Sequence, residues 1–277
     1  TSIMTRTFVL TNHKGGVGKS TSATTIALGI AGVLRRAGAS NSRVLLIDTD
    51  SQGHATLVTT GRNDFGAEDS LYAVLAADRP NAAQVLSQCI VQSTWDADLH
   101  VLPASPMLEG AERELMRVAG APYRLADPLS RIASHYAAIV IDTRPSFSLM
   151  TEMGLIAATD AIVPVEPRYL ETVGLMSVMS KINDIREGWR HPKLRVSGIL
   201  VTKMDKRVRG HNHLLEELKT HSVLGKLLIG VIPANEAVSY AHHNHLSVFS
   251  YDPKATASRA YAQLVGTLVR RMSQGGA

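Results

Sequence analysis

The chain is 277 residues long, carries 29 Lys and Arg against 24 Asp and Glu for a net charge of +5, is 45% hydrophobic and holds one cysteine. That length and apolar content can bury one large core, and a lone Cys89 excludes both a disulfide framework and a four-cysteine cluster within the chain. No stretch reaches the ~18 consecutive apolar residues of a membrane span, and no charged-then-apolar leader is read at the start. The expectation is a cytoplasmic protein with one domain over 1–277, residues 1–7 and 273–277 lying outside its ordered body. Residues 1–140 hold 12 basic against 12 acidic side chains and residues 141–277 hold 17 against 12. The excess lies wholly in the second half, which suits a polyanionic partner.

Phe8–Thr11 reads as a first buried strand and Lys19–Arg36 as a helix ending near Gly38. Between them stands Asn12-His13-Lys14-Gly15-Gly16-Val17-Gly18-Lys19-Ser20-Thr21. Glycines at 15, 16 and 18 let the backbone curl so that successive N–H groups point inward, and the helix start adds its positive end to the same spot. A triphosphate fits such a loop, with Lys19 bridging the outer phosphates and the Ser20 hydroxyl on the accompanying magnesium. Residues Lys14 to Thr21 are therefore assigned to a nucleotide. Val44–Ile47 is a second apolar strand, closing a strand–helix–strand unit. Asp48 and Asp50 follow at its carboxyl end, where open α/β sheets bind ligands.

From Thr60 to Ala126 the signals are weaker: a turn-like run over Gly61–Ser70, short helices at Ser70–Ala77 and Ala82–Cys89, a strand at Leu99–Pro103 and an amphipathic helix over Pro106–Val118. Ala137–Asp142 is an apolar strand ending in a carboxylate, the form of a Walker B element, with Asp142 expected on the magnesium hydration shell opposite Ser20. Ala161–Val165, Val196–Val201 and Ile229–Pro233 read as further strands, Tyr169–Trp189 as a long helix and Ala255–Met272 as the last one. Together these predict a doubly wound α/β domain. Its sheet is mostly parallel, of seven or eight strands with helices on both faces, and binds Mg-ATP at the carboxyl edge.

One residue of the loop is not required by the general phosphate-binding pattern. Lys14 puts a second cation at the loop's mouth, and Lys14-Gly15-Gly16-Val17-Gly18-Lys19-Ser20 resembles the deviant Walker A loop of the ParA/MinD ATPases. That resemblance implies an ATP-sandwich homodimer in which Lys14 reaches the partner subunit's phosphates. Asp48-Thr49-Asp50-Ser51-Gln52-Gly53-His54-Ala55-Thr56 is similar to the family's Asp-x-Asp-Pro-Gln-Gly-Asn-Ala-Thr element, which implies that Asp48 helps hold magnesium through water and that Asp50 positions or activates the attacking water. Glu166–Leu175 resembles the family's segment beside the nucleotide. Lys203, in Thr202-Lys203-Met204-Asp205, and Pro233 and Asn235 match its base-side positions. Catalysis is thus placed on Lys14, Lys19 and Asp50, the metal on Ser20, Asp48 and Asp142. Three positions depart from the family: Ser51 and His54 replace Pro and Asn, and Arg144 stands where a proline is usual, read as a surface pairing with phosphate contact as the alternative.

A single cysteine sets aside the cluster-binding relatives. Leu264–Met272 reads as a final core helix rather than a membrane-surface helix of the MinD kind, so a membrane partner is not expected. Only seven residues precede Phe8, so no operator-binding domain is expected there and the chain resembles the short ParA class. The resemblance implies a slow ATPase that works as a switch: dimeric with ATP, bound without sequence preference to nucleoid DNA, and released when a ParB-like or cargo adaptor stimulates hydrolysis. The segment Pro233-Ala234-Asn235-Glu236-Ala237-Val238 lacks the two arginines that much of the family uses on DNA. Phosphate contacts need cations but not fixed positions, so the DNA surface is assigned to Arg190, Lys193, Arg195, Lys206, Arg207, Arg209, Arg259 and Arg270. A MinD-like membrane switch and a monomeric P-loop enzyme acting on a small substrate are the alternatives. His242-His243-Asn244-His245 is read as a solvated polar patch.

Overall fold

The computed structural model describes residues 5–169, 172–189 and 191–274. Its strands are β1 (Arg6–Leu10), β2 (Val44–Asp48), β3 (Val91–Gln92), β4 (Leu99–Leu102), β5 (Ala138–Asp142), β6 (Asp160–Val165), β7 (Arg195–Met204) and β8 (Leu228–Pro233). They form one sheet in the order β3-β4-β2-β5-β1-β6-β7-β8. Every neighbouring pair is parallel except β3 against β4. The doubly wound sheet is as expected, with the two-residue edge strand β3 supplying the eighth member.

The helices are α1 (Lys19–Arg36), α2 (His54–Thr60), α3 (Leu71–Ala76), α4 (Ala82–Cys89), α5 (Leu108–Leu115), α6 (Ala126–Ile132), α7 (Leu149–Ala157), α8 (Thr172–Gly188), α9 (Arg209–Thr220), α10 (Glu236–His243), α11 (Val248–Tyr251) and α12 (Thr256–Gln274). The central strands are apolar along their whole length because both faces are covered. Alternate residues serve opposite layers: Val9, Leu45, Ile47, Ile139 and Ile141 pack with α3 to α9, while Phe8, Leu10, Leu46 and Val140 pack with α1 and α10 to α12. Gly29 marks a close approach of α1 and α12, since a Cβ there would lie 2.6 Å from the Val265 side chain. Deeper in the same layer the Ser22 and Tyr261 hydroxyls share a 2.9 Å hydrogen bond.

Two boundaries are corrected. Arg6 and Thr7 belong to β1, and Ser273 and Gln274 to α12, so both lie inside the ordered body. Leu264, Val265, Leu268 and Met272 are buried against α1 and β8, which makes α12 a core helix over the stretch that could have lain on a bilayer. No described helix is long and apolar enough to cross a membrane.

Register then builds the site. Leu10 and Asp48 both stand opposite Asp142, so the carboxyl ends of β1, β2 and β5 meet at one point.

Candidate functional site

The loop from β1 to α1 passes through Gly16 (φ 74°) and Gly18 (φ 79°), backbone conformations that side chains with a Cβ disfavour. Side-chain hydrogen bonds hold it in shape. Asn12 donates from Nδ2 to the Pro164 carbonyl (2.8 Å) and accepts on Oδ1 from the Lys14 N–H (3.0 Å). The Thr202 hydroxyl donates to the carbonyl of Val17 (2.9 Å), whose side chain is wholly buried. Lys19 crosses back over the loop to donate from Nζ to the Lys14 carbonyl at 2.9 Å. No acidic residue occupies the first turn of α1, so the helix presents its positive end uncompensated. Burial lowers the Lys19 pKa, and the carboxylates of Asp142 and Asp50 oppose that shift. Lys14, Gly15 and Gly16 are exposed at the mouth, and Ser20 and Thr21 are half-buried behind them.

Asp48 and Asp142 are adjacent and fully buried, yet differently placed. Asp48 is satisfied: Oδ2 accepts from the N–H and the hydroxyl of Thr56, both at 2.8 Å, and Oδ1 from the Asp50 N–H at 3.1 Å. Burial pushes it up to about 6 even so. Neither oxygen of Asp142 has a hydrogen-bond partner among the described residues. Burial first, then the charge of Asp48, hold its carboxyl well above the usual range, while the neighbouring Ser20 hydroxyl and Lys19 ammonium pull the other way. A buried carboxylate with two orphaned oxygens is costly unless a cation meets it. Among the described residues no group of three or more His, Cys, Asp or Glu could cage a metal. An ion at Asp142 would therefore draw other ligands from Ser20, water and phosphate, which is the habit of Mg2+. Asp50 is half-buried in a turn whose Gly53 and Gln52 N–H groups bond back to it at 2.9 and 3.1 Å.

These groups wall a cleft of about 900 Å³ that holds Lys19, Ser20, Asp50 and Arg144. A smaller pocket of about 350 Å³ continues from it past Gly18 and Thr21 to Lys203, Pro233 and Asn235. The structure thus brings the phosphate-side and base-side assignments together. Lys203 sits at φ 52°, unusual for a residue with a side chain, and is held there by its ammonium on the Gly16 carbonyl and on Glu166 Oε1 (2.6 Å). The buried Glu166 also takes Arg168 at 2.5 Å. Asn235 uses its side chain to cap α10, accepting from the Ala237 N–H at 2.8 Å, and donates to Thr256 at 3.0 Å. Sequence reasoning gave no role to Asn12, Thr56 or Thr202. Thr56 closes the quoted Asp48–Thr56 element and was the one with a visible signal.

A family model described as AAA domain matches residues 5–196. The chromosome partitioning protein ParA of Caulobacter vibrioides is 32% identical over 269 residues, 96% of this chain and 94% of its own. The chain belongs to the ParA family of ATPases. Among solved structures, cobyrinic acid a,c-diamide synthase from Mycobacterium smegmatis with bound ADP and magnesium is 26% identical at a TM-score of 0.73, over 98% of this chain and 97% of that one. A putative plasmid partition protein from Borrelia burgdorferi bound to AMPPNP shares the fold at a TM-score of 0.75 and 22% identity, over 96% and 99% of the two chains.

Within this ParA-family fold, the departures noted in the sequence fall around the cleft. Arg144 is paired, with Nη1 3.1 Å from Glu112 Oε2 and the two side chains 24% and 19% exposed. The histidine run is not uniformly solvated. His243 and His245 are exposed and His242 is half-buried, and all three line the cleft with His54; burial first, and then His54, push His242 down to about 4. The cause is the register of α10, which turns one face of the run inward.

The assigned DNA residues do not form one patch. Lys206, Arg207, Arg209 and Arg259 lie beyond the carboxyl end of β7 or near the start of α12, whereas Lys193, Arg195 and Arg270 lie at the opposite edge. The ten residues of β7 separate the two groups by roughly 30 Å. Arg190 lies outside the described residues. Arg207 is neutralised by Asp205 (2.8 Å). At the amino edge, Arg195 and Arg6 share the buried Asp160 (2.8 and 3.2 Å), and with Lys226 and Arg271 they line a hollow of about 410 Å³.

Proposed function

We propose that the chain is an ATP-dependent dimerising switch for partition or positioning of DNA or another large cargo. The observation that carries this reading is the orphaned Asp142 carboxylate, buried beside Lys19 and Ser20 under a glycine loop. Asp142 and Ser20 would hold Mg2+, with Asp48 behind them fixing the Thr56 turn and reaching the ion through water. Bound there, the ion supplies charge stabilisation to the phosphates. Lys19 and the loop N–H groups bind the phosphate chain, Asp50 directs the attacking water, and Lys203, Pro233 and Asn235 border the base. Lys14, exposed at the mouth, acts on the partner subunit's phosphates in the manner of an arginine finger, so turnover is slow and requires the dimer. The bound ADP, magnesium and AMPPNP of the similar structures support the nucleotide and its metal.

The amino edge is the better DNA surface. Arg6, Arg195, Lys226 and Arg271 gather there with Asp160 around one hollow, and Lys193 and Arg270 lie at the same edge, before β7 and late in α12; phosphate neutralisation rewards cations irrespective of base sequence. Such a switch would associate with the nucleoid in its ATP state and leave it when a ParB-like or cargo adaptor stimulates hydrolysis. The M. smegmatis similarity favours a second reading, a metabolic P-loop enzyme working as a monomer. Sedimentation of Asp50→Ala separates them: the switch predicts a dimer with Mg-ATP and a monomer with Mg-ADP, reverting to monomer with both when Lys14→Ala is added. A monomer in every nucleotide state would contradict it.

A further inference from the structure

Arg144 has no counterpart in the family pattern, and the nucleotide-binding account above leaves it unused. Its loop leans on the phosphate loop: a Cβ on Gly15 would lie 3.9 Å from the Pro145 Cβ, and the Phe147 ring packs on His13 with centroids 5.6 Å apart. The guanidinium makes a single contact, from Nη1 to Glu112. It has five donors, and the other four make no hydrogen bond to a described residue. Glu112 is itself fixed, because its Oε1 accepts from the Leu149 N–H at the start of α7 (2.8 Å). The arginine is therefore aimed but not saturated. A partly exposed one-point ion pair is worth little, whereas a phosphate accepts from a guanidinium through two parallel bonds. Ser146, next along the loop and also in the cleft wall, keeps a buried hydroxyl with no partner among the described residues. Two neighbouring residues of the loop that walls the cleft thus hold donors with no partner among the described residues.

Position selects the phosphate. Arg144 and Asp50 line the phosphate side of the cleft and neither touches the base-side pocket. A nucleotide laid from Asn235 across the glycine loop would bring its phosphates into the cleft that Arg144 lines.

We propose that Arg144 binds the terminal phosphate of ATP, held in position by Glu112, and so makes the site discriminate ATP from ADP. This rests on the ATP-binding reading above. The test is titration of fluorescent ADP and a fluorescent non-hydrolysable ATP analogue, with magnesium, into wild type, Arg144→Gln and Arg144→Lys. Arg144→Gln should weaken the triphosphate about tenfold or more and change ADP by less than about twofold, which also reports that the variant is folded. Arg144→Lys should recover only part of the loss, since an ammonium cannot fork; should Arg144→Gln fail to fold, the triphosphate-selective loss in Arg144→Lys decides. Repeating the pair on a Lys14→Ala background identifies the source: a loss that persists places the phosphate in Arg144's own subunit, one that vanishes places it in the partner's. Equal loss for both nucleotides, or none, overturns the proposal and leaves Arg144 a tie between α5 and α7. If wild type binds neither nucleotide, the ATP reading fails as well.

Discussion

The two edges of the sheet handle charge in opposite ways. At the carboxyl edge the lysine that matters is buried and bonded to the loop, and the unsatisfied group is an acid, Asp142. At the amino edge the acid, Asp160, is buried and doubly paired, and of the cations around it Arg195, Lys226 and Arg271 stand in solvent while Arg6 is largely covered. The first arrangement is preorganised for one ligand bringing both a cation and phosphates. The second is a field, in which no single position is essential and screening by salt matters. The difference explains why one edge can be written as named contacts and the other only as a sum.

Lys19→Ala should separate the edges most sharply. It removes the buried ammonium bonded to the Lys14 carbonyl across the loop and should weaken Mg-ATP binding about 100-fold or more, measured by calorimetric titration. The melting temperature should hold, because burial already disfavours that charge. A loss below about tenfold would mean the loop does not bind the phosphates.

Asp142→Asn tests the orphaned acid through stability. Asp48 and Asp142 both carry raised values in the folded state, Asp48 at about 6 against 3.8 for a free carboxyl. The folded chain then holds protons that the unfolded chain releases. Their contribution is fully present below about pH 4 and is lost as pH rises through the folded-state values, about 6 for Asp48. Without nucleotide, Asp142→Asn should raise the melting temperature at pH 7.5 by roughly 3–6 °C and by much less at pH 4. A drop at pH 7.5 would show that Asp142 is already compensated.

The smallest effect belongs to the amino edge. Lys226→Glu and Arg270→Glu should each lower the slope of log affinity for duplex DNA against log salt by about 1 and leave ATP binding alone. Lys206→Glu at the other edge should leave the slope unchanged. The reverse pattern would move the DNA surface to the nucleotide edge.

The same contrast decides how much was legible in the sequence. The loop, Asp48, Asp50 and Asp142 sit on short local patterns bounded by apolar strands, so their order along the chain carries their place in space. Lys203, Pro233 and Asn235 were placed through a family resemblance, and the structure sets them beside the loop. Asn12 and Thr202 each tie the loop to a residue more than 150 positions away, and no local pattern announces such a bond. The basic residues were assigned to one DNA surface because they crowd the second half of the chain. β7 carries the chain from one edge of the sheet to the other, and only the strand's length shows that Arg195 and Arg207 belong to different surfaces. His242 was misjudged for the same kind of reason, since the face that α10 turns inward is set by packing.

The central claim is that nucleotide at one edge governs the surface at the other. Its most direct measurement is the anisotropy of a labelled duplex of arbitrary sequence titrated with Asp50→Ala, in Mg-ATP and in Mg-ADP, over a salt series. The account predicts tight, steeply salt-dependent binding with ATP and none with ADP, abolished by adding Lys14→Ala. Equal binding in both nucleotides, or in neither, would contradict it.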